Sequence, residues 1–199
     1  MKHLKIIFIF FITTYSFSQK IVKKNYLKAV NDFLELELRK ERYKNYPTTS
    51  YDWCLVENYN NVPVGKYEND YKSLNKGQDP LFMKTYFPID SLEIEKIKLK
   101  YSKTEIPLWE TKDFPNFNFK IIKYQLISDN IKSGKYLEIK PMLVIIVTLP
   151  LFINKNKCII GFRTMETKLG GEVIDHSLVM MVRKKGKWEK IYDYYDGYY

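Results

Sequence analysis

The sequence predicts an α+β fold: an N-terminal amphipathic helix, with a second helix near 90–103, packed on a four- to five-stranded antiparallel meander. Three observations predict it. Leu27, Val30, Leu34 and Leu38 recur at helical spacing, so they share one face and need a partner surface. From Phe119 onward, apolar segments of strand length alternate with turn residues. Hydrophobic content of 45% and aromatic content of 16%, with no Pro- or Ser-rich linker, place a single folded domain over residues 19–199.

The chain opens with a different signal. Lys2, His3 and Lys5 form a basic start, Ile6 to Ile12 is strongly apolar, and Ser16-Phe17-Ser18-Gln19 offers small residues to a signal peptidase. This three-part pattern reads as a Sec-type signal peptide over residues 1–18, cleaved between Ser18 and Gln19. The apolar run is far shorter than the roughly 20 residues a membrane helix needs. No cysteine stands at the cleavage point, so the expectation is a secreted or periplasmic protein and not a lipoprotein. Losing Lys2 and Lys5 lowers the formal charge from +10 to +8.

The mature chain then reads in order. Tyr26, Ala29 and Phe33 widen the helical stripe of residues 20–43, and Pro47-Thr48-Thr49-Ser50 ends it. Tyr51 to Val56 suits a short strand. The segment near 58–80 is rich in Asn, Gly, Lys and Asp and reads as a surface loop. Over 90–103, Asp90 or Ser91 can cap a helix whose early acids, Glu93 and Glu95, precede Lys96, Lys98 and Lys100. Phe119 to Ile127 places Ile122, Tyr124 and Leu126 on one strand face. Met142 to Leu149 is almost continuously apolar, as a strand covered on both sides should be. Cys158 to Phe162 and Val173 to Val182 follow as strands, with a turn at Asn154 to Lys157. Lys184-Lys185-Gly186-Lys187 turns the chain into a last strand from Trp188 to Tyr194.

The motifs of the C-terminal half resemble a group of uncharacterised exported Bacteroidetes proteins with no established activity. The likeness rests on Thr148-Leu149-Pro150-Leu151-Phe152, on Gly170-Gly171 and on Gly186-Lys187-Trp188. These fit a Ser/Thr-x-Pro-x-Phe segment, a Gly pair and a Gly-Lys-Trp, in that order, over residues 90–192. The resemblance implies an antiparallel sheet and an exported address, and no activity. Relatives in the group carry cysteines near the Gly pair, and this chain has none there. Each piece also has a plain physical role: Pro150 can end a ladder, Gly170-Gly171 permits a left-handed turn, and Trp188 supplies buried surface.

Chemistry is mostly excluded by counting. The mature chain holds one histidine, His176, and two cysteines, Cys54 and Cys158. Zinc sites built on paired histidines or four cysteines cannot form within it. Cys54 and Cys158 can form a disulfide or remain two separate buried thiols, and spacing leaves both open. His176 stands between Asp175 and Ser177, but strand neighbours alternate in direction, so they cannot converge with it as a triad. Glu35/Glu37, Glu93/Glu95 and Asp193/Asp196 are close in sequence, whereas a glycosidase needs two carboxyls across a cleft. Phosphate-binding glycine loops and EF-hand spacing are absent. No residue set qualifies as a catalytic, cofactor-binding or metal site, and no cofactor is expected.

Lysines cluster at Lys20 to Lys28, at Lys96 to Lys103 and at Arg183 to Lys187, a pattern that attracts polyanions. Five tyrosines crowd the tail from Tyr192 to Tyr199, where they can complete the last strand or meet a partner. The expectation is a non-enzymatic binding domain of the cell envelope that meets an envelope protein or an acidic glycan. It involves no nucleic acid and no membrane span after cleavage. The alternative is a small secreted hydrolase that uses scattered carboxylates.

Overall fold

Helix α1 covers residues 25–37 and buries Ala29, Val30, Phe33 and Leu34 completely. The computed structural model describes residues 25–57, 91–101, 108–168 and 170–195. The export signal with its Ser18–Gln19 cleavage point, the loop-rich segment near 58–80 and the tail from 196 lie outside the described residues. After α1 the chain makes a 3-10 helix at Glu41–Asn45 and enters strand β1, Asp52–Val56. Helix α2 is Ser91–Tyr101, strand β2 is Lys120–Ile122 and helix α3 is Tyr124–Lys132. The remainder is β3 (Met142–Val147), β4 (Leu151–Asn154), β5 (Lys157–Glu166), β6 (Glu172–Lys184) and β7 (Lys187–Tyr195).

The strands form one seven-stranded sheet in the order β2-β1-β3-β5-β6-β7, with β4 paired to β5. The meander from β3 to β7 is antiparallel throughout. The sheet is larger than the predicted four or five strands, because β1 adds parallel to β3 and β2 adds parallel to β1. Parallel pairing joins strands distant in sequence, which a local alternation pattern cannot reveal. Among the described residues the architecture is α+β, with helices on both faces of a mostly antiparallel sheet.

On the first face, α1 packs its stripe against Leu143, Ile145, Ile160, Phe162, Val179 and Met181. Phe33 meets Phe162 edge-on at 5.1 Å, and Tyr26 meets Phe152 at 5.3 Å. Asp32 of α1 accepts a hydrogen bond from the Trp188 backbone N–H at 2.9 Å, so the helix also satisfies the start of β7. The second face carries two smaller clusters. Ile97 of α2 meets Leu151, Ile159, Leu178 and Met180, while Ile127 of α3 meets Val56, Val144, Ile146 and Met165.

Residues 124–132 are helical, although Phe119 to Ile127 alternates like a strand. The helix buries Ile127 and packs Ile131 four positions on, and it leaves Leu126 exposed. Strand β2 stops after three residues. The Gly pair serves this contact. Gly171 has φ +87, and a Cβ there would stand 2.5 Å from Ile131 Cδ1. At the opposite end, Lys185 (φ 48) and Gly186 (φ 83) make the two-residue turn between β6 and β7, both in the left-handed region such hairpins require.

The Thr-x-Pro-x-Phe segment has a clear structural meaning. Strands β3 and β4 lie end to end along the same edge of β5, and the chain between them bulges. Thr148 donates its backbone N–H to Gly161 O at 3.0 Å, and its hydroxyl accepts the Gly161 N–H at 2.9 Å. The side chain thus replaces the carbonyl that the bulge removes from the ladder. Pro150 then needs no donor, and the exposed edge of β4 is closed by α2. Tyr101 Oη accepts from Phe152 N at 2.8 Å, and Lys100 Nζ donates to Phe152 O at 3.2 Å. Thr148→Val leaves the buried Gly161 N–H without an acceptor and should cost about 1–3 kcal/mol in urea unfolding. Thr148→Ser should recover most of that loss, and equal stability of the Val variant and wild type would refute the role.

Candidate functional site

Where α1 ends against β6 and β7, the sheet's first face turns polar. Glu37 continues the buried stripe of α1, four positions after Phe33, and is only 1% exposed. Asp175 and Ser177 occupy the alternate positions of β6 that face inward with Val179 and Met181, and Asp175 is 2% exposed. Two buried carboxylates demand counter-charge. The 3-10 helix supplies it: Arg42 Nη2 lies 2.8 Å from Glu37 Oε1 and 2.7 Å from Asp175 Oδ2.

Further groups close the arrangement. Lys40 Nζ stands 2.5 Å from Glu37 Oε1, and Lys190 of β7 stands 3.5 Å from Glu37 Oε2. Lys190 also pairs with Asp193, which lies 3.8 Å from Lys40. Tyr43 donates its hydroxyl to Asp175 Oδ2 at 3.3 Å and lies at the same distance from Thr164 Oγ1. Three acids therefore face three cations: Glu37, Asp175 and Asp193 against Lys40, Arg42 and Lys190.

Burial pushes the Asp175 carboxyl above the usual range, and the neighbouring Arg42 charge pulls it back in part. Burial also raises the Tyr43 hydroxyl, which stays protonated and can donate. Two carboxylates around one cation are near enough for a two-carboxylate hydrolase. Here the guanidinium occupies the space between them, where a glycosidase needs a sugar and a water. The cluster is built to join a helix to a sheet.

The other predicted positions disperse. Glu35 faces outward on α1 and accepts from Asn116 at 2.5 Å, so the Glu35/Glu37 pair is split between surface and interior. Glu93 and Glu95 lie in α2, which packs on the opposite face of the sheet from the cluster. Asp196 lies outside the described residues. His176 pairs in register with Arg163 of β5, while Asp175 is committed to Arg42 and Tyr43. Among the described residues no group of three metal-ligating side chains could hold an ion. No described helix is long and apolar enough to cross a membrane. The sequence did signal the cluster. Glu37 falls at helical spacing on an apolar stripe, and Asp175 falls at strand spacing on one.

Cys54 and Cys158 are free, buried thiols, so the disulfide alternative is corrected. Cys54 pairs with Val144 of β3, which pairs in turn with Met165, seven positions along β5 from Cys158. That is roughly 23 Å along the strand and about 10 Å across it, against the 4.4–6.8 Å between Cα atoms that a disulfide needs. Burial pushes the Cys54 thiol up to about 11 and raises Cys158 as well.

The basic residues gather more than the acids do. The turn between β4 and β5 carries Lys155 and Lys157, and the β6–β7 turn carries Arg183, Lys184, Lys185 and Lys187. Lys157 pairs with Val182, and Arg183 N donates to Asn156 O at 2.8 Å, so the two tips stand side by side. Lys155, Lys184, Lys185 and Lys187 are exposed, and Glu189 reaches only Lys184, at 3.4 Å. Lys28 is spent on Asp32 at 3.2 Å. Lys20 and Lys103 lie outside the described residues.

Comparison with protein-family models, with curated proteins and with solved structures gave no match to this chain.

The thiols allow a direct check. Native protein should not react with a thiol reagent at pH 8, and denaturant without reductant should release two thiols per chain. Zero thiols after denaturation would mean a disulfide and would contradict the strand register.

Proposed function

We propose that this chain is an exported, non-enzymatic binding domain that holds an acidic glycan of the cell envelope against the paired hairpin tips. The observation that carries the reading is the lysine-rich end of the sheet. Two adjacent turns present the exposed Lys155, Lys184, Lys185 and Lys187 across four neighbouring strands, about 14 Å, and among the described residues Glu189 pairs with Lys184. A rigid basic surface of this width favours an extended polyanion, whose charges repeat along its length. The internal neutralisation of Glu37, Asp175 and Asp193 supports a scaffold and commits these three carboxylates to cations. The signal read over residues 1–18 supports the exported address.

The test is binding of the mature chain to an immobilised carboxylated polysaccharide such as alginate, with neutral dextran as control. Binding should weaken as salt rises, because the Debye length falls from about 10 Å at 0.1 M to about 3 Å at 1 M. The combined change Lys155→Glu, Lys185→Glu and Lys187→Glu should reduce affinity about tenfold or more, equivalent to about 1.4 kcal/mol. Unchanged binding by that variant would overturn the reading. Retention of polyglutamate but not of alginate would replace the glycan by an acidic protein.

A further inference from the structure

Helix α2 carries apolar side chains on two opposite sides. Ile97 is buried with Leu151, Ile159, Leu178 and Met180, and Tyr101 packs against the same cluster. At about 100° per residue, Leu92 and Leu99 fall on the side opposite Ile97 and Tyr101, two turns apart. Leu92 is 69% exposed and Leu99 is 78% exposed. Lys96 stands between them on the same side and is exposed as well. A helix lying on a sheet ordinarily puts polar residues opposite its buried stripe. Here the crest of the helix carries leucines.

Basic residues frame one end of this crest. The last turn of α2 grips Phe152 of β4 through Tyr101 and Lys100. The turn after β4 carries Lys155, and Lys184, Lys185 and Lys187 project from the turn beside it. Glu93 and Glu95 lie in the first half of α2, away from that end. A soluble polyanion would match the lysines and leave the leucines in water. An apolar protein surface would match the leucines and leave the lysines without partners. An anionic bilayer matches both, because leucines enter the acyl boundary while lysines reach the phosphates. We propose that α2 docks this protein on an anionic lipid bilayer, with Leu92 and Leu99 entering the interface and the hairpin tips meeting the headgroups. At 11 residues α2 lies on the membrane and is too short to cross it. The inference goes beyond the glycan reading and shares only the tip lysines with it.

Co-sedimentation of the mature chain with sucrose-loaded vesicles tests it, using phosphatidylcholine alone or with about one-third phosphatidylglycerol. Wild type should bind the anionic vesicles and not the neutral ones. The combined change Leu92→Gln and Leu99→Gln keeps helix propensity and removes the apolar crest. Its partition should fall about tenfold or more, while its binding to alginate stays that of wild type. The hairpin-tip variant with three lysines reversed should lose more, since each lysine near the surface contributes about fivefold. No binding of wild type to anionic vesicles would overturn the proposal, as would unchanged partition of either variant. A dimer that the leucine variant converts to monomer, with vesicle binding unaffected, would assign the crest to a second copy and also overturn it. Vesicle binding without alginate binding would remove the glycan reading and leave this one standing, and the opposite result would do the reverse.

Discussion

The fold depends on one cation held between two buried acids. Glu37 arrives on a helix and Asp175 on a strand, and neither could stay ionised inside the protein unpaired. Arg42 lies within 2.8 Å of one and 2.7 Å of the other. That bridge fixes the turn after α1, and the turn fixes how the helix lies across β6 and β7. The apolar stripe alone would let α1 slide or rotate on a sheet of similar aliphatic side chains. Charges cannot slide in that way, because each must keep its partner. Lys40, Lys190 and Asp193 extend the bridge to the edge strand. The same arrangement that specifies the fold removes these carboxylates from use as catalysts.

The second device is the interruption between β3 and β4. Thr148 and Pro150 let one edge of β5 be paired in two pieces, and the bulge changes how the two halves are covered. Beyond the break, α2 closes the exposed edge of β4 through Tyr101 and Lys100. Before it, β3 keeps its other edge free for the parallel strand β1. The two helices on this face consequently sit over separate apolar clusters. Below both, the hairpin turns are free of covering structure among the described residues and project their lysines together.

Much of this was legible in the sequence, for reasons that can be stated. The stripe from Leu27 to Leu38 and the alternation in β5 to β7 are local patterns with a fixed period, so they survive reading without a structure. The turn at Lys185-Gly186 follows from glycine's freedom. Strand β1 was read from Tyr51 to Val56, but its parallel pairing with β3 and the short strand β2 beside it were illegible, because those partners are chosen by contacts across the chain. Residues 119–127 misled, since Ile122, Tyr124 and Leu126 alternate while the contact that decides the helix, Ile127 with Ile131, begins only at the end of that window. At the site, Glu37 at helical spacing and Asp175 at strand spacing on apolar faces carried a signal that went unread, since Glu37 was taken only as a close pair with Glu35 and Asp175 only as a neighbour of His176. Their common partner Arg42 lies in a short 3-10 helix with no periodic signature. The neighbouring hairpin tips required the register of β5 on β6, which no composition reports.

The most direct test of the central claim is a double-mutant cycle on Arg42 and Asp175, read by urea unfolding. Arg42→Met and Asp175→Asn each remove one side of the bridge, and the double variant removes both. Arg42 is 39% exposed, so the coupling is discounted from that of a fully buried pair and is expected at about 1–3 kcal/mol. The double variant should then be more stable than the sum of the single losses predicts. Losses that add to within about 0.5 kcal/mol would show that the two residues do not act together, and the bridge would not be what sets α1 on the sheet.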